Sequence, residues 1–334
     1  MGPTIRDVAK RAQTSVSTVS RVLTRSGPVA EATRQRILAA IEELGYKPNA
    51  LARGLVSRRT GTIGVVIPDV ANPFYAEVLR GMSDVASANG LHMLLVNADL
   101  SFDKEAEGFA LLHEKQVDGI VYTSGVITQG HREILHRLGR PVVLAATYDA
   151  VGGFPAVLVD SKTGATMAMT HLLDLGHRRI AVINGPDEDL IAGSPRWEGY
   201  REAAAARGLA LDPGLVCTGD YRLESGYRAM ERLLARPDPP TAVVAASDLM
   251  AIGAINAALD RGVRVPGDLS VVGFDNIWFS AAIRPALTTV AQPMYEIGAT
   301  AIRMLITAMS GKTEPVVDWI KPYMVERAST APYR

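Results

Sequence analysis

From Thr62 onward the chain alternates in a way that few folds tolerate. Short apolar, β-rich runs at 63–67, 92–96, 119–123, 142–146, 157–159, 180–183, 242–245 and 269–274 are separated by stretches of helical periodicity. Those stretches include 76–88, 104–114, 163–175, 198–207, 226–234 and 250–259. Alternation of this kind predicts an α/β architecture in which parallel sheets are covered by helices on both faces. The runs are too many for one comfortable sheet, so two doubly wound subdomains are expected. Ligands of such folds bind beyond the carboxyl ends of the strands.

The first 60 residues obey a different rhythm. Thr4 can cap a helix with Asp7 in its first turn, and Ile5, Val8, Ala9 and Ala12 share one face. Gln13-Thr14 makes a tight turn. Ser15 then caps a second helix whose inward face is Val19, Val22 and Leu23. A third helix follows the Ser26-Gly27-Pro28 break, with Ile37, Leu38, Ile41 and Leu44 inward and Gly45 ending it. Three short helices, the second entered by a tight turn, form a helix-turn-helix pattern. Opposite its apolar face the second helix offers Val16, Ser17, Ser20 and Arg21. Small groups let a helix sit deep in the DNA major groove, and an arginine reaches guanine edges; the same pattern also suits a plain three-helix bundle with Arg21 solvated.

Charge separates the two parts further. Residues 1–60 carry 11 Lys+Arg against 4 Asp+Glu, whereas the whole chain balances at 35 against 35. A basic head on an acidic body suits a domain that neutralises phosphates. Residues 49–55 can form one short helix, marginal alone in water, and the basic stretch after it reads as a linker. No apolar run is long enough to span a membrane, and the N-terminus has no signal-peptide pattern. Cys217 is the only cysteine, which excludes an intrachain disulfide and a cysteine-built zinc site. A cytoplasmic location is expected.

The strand ends carry the candidate ligand groups. Asn72-Pro73-Phe74-Tyr75 offers an amide, a stackable ring and a phenol suited to a sugar; it equally suits a helix start with Phe74 in the core. Arg196 opens a helix and can fork onto two hydroxyls or a carboxylate, or lie on the surface. Asp275 can accept two vicinal hydroxyls, or cap a helix. No nucleotide-binding glycine loop and no nucleophile elbow is present. His171 and His177 lack an acid or thiol to complete a metal set and read as helix-end residues, and Cys217 reads as a small buried hydrophobe. No enzyme, metal or cofactor is expected.

Residues 4–12 (Thr-Ile-Arg-Asp-Val-Ala-Lys-Arg-Ala) and 17–23 (Ser-Thr-Val-Ser-Arg-Val-Leu) closely resemble the head of the lactose-repressor (LacI/GalR) family of bacterial regulators. The likeness continues through Gly45-Tyr46-Lys47-Pro48-Asn49, Ala52-Arg53-Gly54-Leu55, Asn72-Pro73-Phe74-Tyr75, Leu175-Gly176-His177-Arg178-Arg179-Ile180, Ser247-Asp248-Leu249-Met250-Ala251, Val272-Gly273-Phe274-Asp275 and Leu287-Thr288-Thr289-Val290-Ala291-Gln292-Pro293. It spans essentially the whole chain and is nearest to the family's sugar and ribose-type members.

The resemblance implies a helix-turn-helix domain over 1–48, a hinge helix and linker over 49–60, and a periplasmic-binding-protein-like effector domain over 61–334. Its first lobe would take about 61–161 and 292–322, its second about 162–291 and 323–334. It implies a homodimeric regulator, expected to act as a repressor, on a near-palindromic double-stranded operator, switched by a sugar-like effector between the lobes. The DNA contacts would fall on Thr4, Ser15, Val16, Ser17, Thr18, Ser20 and Arg21, and in the hinge on Asn49, Ala52, Arg53 and Leu55, with Leu55 the wedge that kinks a central step. The effector contacts would fall on Asn72, Phe74, Tyr75, Arg196, Tyr221, Ser247, Asp275 and Gln292, while Asp248 is structural. The chain departs from the family pattern after the run at 142–146, where Ala145-Ala146-Thr147-Tyr148 replaces the usual acid and Asp149 comes late. Ser247 stands where asparagine is frequent. No C-terminal leucine heptad follows, so no coiled-coil tetramer is expected. The rival readings are a transporter's solute-binding protein, opposed by the basic head, and, more distantly, a sugar-modifying enzyme.

Overall fold

The structure, a computed structural model, describes residues 3–24, 27–46, 60–312 and 316–334. The head consists of α1 (Ile5–Arg11), α2 (Val16–Thr24) and α3 (Glu31–Leu44). Asp7 folds back on the start of α1, its carboxylate accepting from the Thr4 backbone N–H at 2.8 Å and the Thr4 hydroxyl at 2.7 Å. Ser15 caps α2 by accepting from the Thr18 N–H at 3.1 Å. Gly45 ends α3 at φ +59°, a left-handed turn that glycine adopts without a side-chain clash. Val8, Ala12, Val19, Val22, Ile37 and Tyr46 form the head's core. Leu38 corrects the sequence expectation: it is 46% exposed. The inward face of α3 runs through Ile37, Ala40, Ile41 and Leu44, and Leu38 sits about 100° around the helix from Ile37.

The body begins with β1 (Thr62–Ile67), α4 (Pro73–Ala88), β2 (His92–Asn97), α5 (Phe102–Glu114), β3 (Ile120–Tyr122), α6 (Gln129–Leu138), β4 (Val142–Ala145) and β5 (Ala156–Val159). It continues with α7 (Ser161–Asp174), β6 (Ile180–Asn184), α8 (Gly193–Ala206), β7 (Val216–Thr218), α9 (Leu223–Leu234), β8 (Ala242–Ala245), α10 (Asp248–Asp260), β9 (Ser270–Asp275) and α11 (Trp278–Ala282). Last come β10 (Thr288–Ala291), α12 (Met294–Met309), β11 (Val317–Ile320) and β12 (Tyr323–Val325).

The strands form two six-stranded sheets. In the first, all neighbours are parallel and the order is β11-β5-β4-β3-β1-β2. In the second the order is β12-β10-β9-β8-β6-β7, and only β12 runs antiparallel to its neighbour. The chain passes between the sheets three times, from β5 to α7, from β10 to α12 and from β11 to β12. Central strands such as β6 and β9 are buried along their whole length, which is why they read as continuous apolar runs and not as alternating ones. Each sheet thus makes one lobe, and the carboxyl ends of the strands meet the other lobe across a cleft. Among the described residues no helix is long and apolar enough to cross a membrane.

Candidate functional site

The head presents one face to solvent. On α2, Val16 is 41% exposed, Ser17 and Arg21 are exposed, and Thr18 and Ser20 are half-buried. The Ser15 hydroxyl stands 2.8 Å from those of both Ser17 and Thr18, so the start of α2 carries a linked set of short hydroxyls. Thr4 is exposed nearby in sequence at the start of α1. Arg11 pairs with Glu43 at 2.6 Å and ties α1 to α3, whereas Arg6, Lys10 and Arg21 point outward. The hinge positions Asn49, Ala52, Arg53 and Leu55 lie outside the described residues.

The cleft is built the opposite way, from buried polar groups. Arg196, in the first turn of α8, is only 4% exposed. Its Nη1 donates to the Ala246 carbonyl, and its guanidinium carbon lies 3.9 Å from the centre of the Phe274 ring. Asp275 is the last residue of β9, at φ +120°, and accepts from Gln292 Nε2 at 2.7 Å. Helix α11 starts only at Trp278, so Asp275 is not its cap. Burial pushes the Asp275 carboxyl up, and the Arg196 charge pulls it back. Asp248 lies behind it, accepting from the Thr289 and Ser280 hydroxyls at 2.5 Å each and from the Ile277 N–H at 2.9 Å. Burial first, then the charge of Asp275, push its carboxyl up. A Cβ at Gly273 would overlap Asp248 Oδ1, so glycine is what lets that carboxylate rest on β9. Three donors on a fully buried acid make Asp248 a structural clamp.

Ser247 caps α10, accepting from the Met250 N–H at 3.2 Å and donating to the Tyr221 carbonyl at 3.3 Å. Tyr221, at φ +65°, donates its phenol to Asp189 at 2.5 Å. Gly185 makes room for that ring, since a Cβ there would collide with it. On the opposite lobe Asn72 caps α4 by accepting from the Phe74 N–H at 3.0 Å. Phe74 itself is buried in the core, edge-on to Tyr75 at 5.0 Å, so its ring is not the open stacking platform that its sequence position allows. Tyr75 faces the other lobe: burial, then Asp189 and Asp275, raise its phenol, and Arg196 opposes them. Arg222 joins Asp69 at 3.3 Å, the one ion pair between the lobes among the described residues.

Four buried atoms around this cleft have no hydrogen-bond partner: Arg196 Nε, Asn184 Oδ1, Tyr200 Oη and Thr123 Oγ1. Asn184 and Thr123 sit at the carboxyl ends of β6 and β3, and Tyr200 lies one turn beyond Arg196 on α8. Sequence reading missed these and Asp189; the available signals were the strand-end positions of Asn184 and Thr123 and the place of Tyr200 one turn beyond Arg196. Two other candidates are spent elsewhere. Asp149 is buried against Arg132, which also donates to the Gly152 carbonyl at 2.7 Å, so this acid serves the first lobe's interior. His177 lies just past the end of α7, and its ring is buried against Thr241, Ser270 and the Ala331 carbonyl, pinning the C-terminal segment. Burial lowers its pKa. His171 closes α7 and meets Thr330 at 3.1 Å. Cys217 is half-buried, and burial raises its thiol.

Residues 4–49 match the family described as "Bacterial regulatory proteins, lacI family", and residues 169–330 match a periplasmic binding protein-like domain. Catabolite control protein A of Priestia megaterium is 44% identical over 313 residues, 94% of each chain. The chain belongs to the lacI family of bacterial regulatory proteins. Members of this family are transcriptional regulators and not enzymes, and this chain is a DNA-binding regulator of transcription. The lac repressor dimer bound to operator and the anti-inducer ONPF superposes with a TM-score of 0.89 at 25% identity, covering 99% of this chain and 100% of that one. The transcriptional regulator CelR, solved with cellobiose, superposes with a TM-score of 0.73 at 36% identity, covering 98% and 99%.

Proposed function

We propose that this lacI-family chain is a homodimeric, cytoplasmic repressor whose hold on a near-palindromic operator is switched by a small polyhydroxylated effector between its lobes. The observation that carries the effector half is the set of partnerless buried atoms at the carboxyl ends of β3 and β6 and on α8, with the Asp275–Gln292 pair at the ends of β9 and β10. Buried polar groups are nearly always hydrogen-bonded, and a ligand offering both donors and acceptors would satisfy Arg196 Nε, Asn184 Oδ1, Tyr200 Oη and Thr123 Oγ1 together. Asn72, Tyr75, Tyr221, Ser247 and Gln292 frame the same space, and Phe74 holds Tyr75 in place from behind. The cellobiose bound to CelR fits this reading.

For DNA, α2 enters the major groove. Val16, Ser17 and Arg21 read base edges, while Thr4, Ser15, Thr18 and Ser20 meet phosphates or bases, and Asn49, Ala52, Arg53 and Leu55 engage the minor groove. The dimeric lac repressor supports a homodimer. The ligand acts only through its different affinity for the two lobe arrangements. A thermal-shift screen of pentoses, hexoses, disaccharides and nucleosides tests the effector half. A ligand at about 100 times its Kd stabilises by roughly 2.7 kcal/mol. Operator titration with and without the hit then gives the sign of the switch; a hit that leaves operator affinity unchanged sinks the proposal.

A further inference from the structure

The charges around the cleft decide more than its location. Phosphate groups bind where helix N-termini or free cations offer donors. At four of the helices that follow cleft-side strand ends, the chain's own oxygens already take N–H groups in or just before the first turn. At α4, Asn72 takes the Phe74 N–H and Asp69 takes the Ala71 N–H at 2.9 Å. Ahead of α8, Asp189 takes the Ile191 and Ala192 N–H groups at 2.9 and 3.0 Å. At α9, Asp220 takes the Arg222 N–H at 3.0 Å, and Glu224 lies in the first turn. At α10, Ser247 takes the Met250 N–H, and Asp248 opens the first turn.

The cleft's cations are in part engaged as well. Arg222 is paired with Asp69, and Arg196 lies on Phe274 with Nη1 given to a carbonyl. Against these two arginines stand Asp69, Asp189 and Asp275, with Asp248 behind. The buried atoms still without a partner are the Arg196 Nε–H, the Tyr200 phenol, the Thr123 hydroxyl and the Asn184 amide oxygen. That set complements hydroxyl groups, which donate and accept, while three carboxylates against two arginines disfavour an acceptor-only dianion.

Resting on the effector reading above, we propose that this cleft selects an uncharged polyhydroxylated ligand and rejects its phosphorylated counterpart. The test is calorimetry and thermal shift on the full chain, with pentoses, hexoses, disaccharides and nucleosides each measured beside its phosphate ester. Every neutral binder is expected to exceed its ester by at least about tenfold in affinity, because like charges set against each other in a desolvated site are strongly disfavoured. Its affinity is expected to change little between about 0.1 and 0.5 M NaCl, since no charge is screened. Asp189→Asn, which removes a negative charge, is expected to narrow the gap between parent and ester. A phosphate ester that binds tighter than its parent, or an affinity that collapses with salt, overturns the selectivity while leaving the effector site standing. If neither member of any pair binds, the effector reading itself falls and this inference with it.

Discussion

The head and the cleft do their work with opposite economies of burial. In the head, most of the groups that would touch DNA are exposed, and the fold rests on a separate small core of Val8, Val19, Val22 and Ile37. In the cleft, Arg196, Asp248, Asp275 and Gln292 are all buried, and each is tied to its neighbours. Recognition and stability are therefore separable in the head and entangled in the cleft. The physical reason is solvent: long-range attraction to a polyanion works through water, whereas discriminating hydroxyls needs polar groups desolvated and fixed before the ligand arrives.

The largest expected effect tests the entangled side. Arg196→Ala leaves the Asp275 carboxylate buried without its counter-charge and uncovers Phe274. Unfolding in denaturant should show a loss of about 2–5 kcal/mol, with effector-dependent stabilisation abolished. Loss of effector response at unchanged stability would show that the cleft, too, keeps the two roles apart. On the head, Arg21→Ala should weaken operator binding by about 1–3 kcal/mol and relax preference at one base pair per half-site. The melting temperature should stay put; a drop comparable to that of Arg196→Ala would erase the contrast.

Acidity sharpens it next. Asp248 and Asp275 titrate above the ordinary carboxylate range because they are buried. The folded state then keeps protons that the unfolded chain has lost, so their contribution to stability is full below about pH 4 and is lost as pH rises through the folded values. Urea titrations from acid to neutral pH should show that decline, and Asp248→Asn should flatten it. An unchanged slope in the variant would remove Asp248 as its source. The smallest effect belongs to Arg222→Ala. Its bridge to Asp69 is largely exposed, so the loss should be only about 0.2–1 kcal/mol and should vanish in high salt.

Much of this was legible in sequence because it depends on local pattern. The strand–helix alternation, the three head helices and the Gly45 stop follow from periodicity and capping chemistry. Several of the elements that escaped lack a buried face of their own. Strand β11 exposes Val317, Asp318 and Trp319, β7 has only three residues at a sheet edge, and α6 buries little beyond His131 and Leu135. Pairing with a neighbour already in place made them regular, and no window of residues records that neighbour.

The candidate site divides along the same line. The sequence by itself determined a basic helix-turn-helix head, a two-sheet body and the strand ends where ligand groups had to lie, since charge, capping and hydrophobic period are written residue by residue. Only the tertiary structure decided which of those groups are available. It spent Asp149 on Arg132, sank Phe74 into the core, made Asp248 a clamp and committed Tyr221 to Asp189. It also brought Thr123, Asn184 and Tyr200 to the cleft with polar atoms unmatched. A side chain's hydrogen-bonding capacity is fixed by its chemistry, but how much of it remains unspent depends on partners far away in the chain, and those exist only once the lobes have folded.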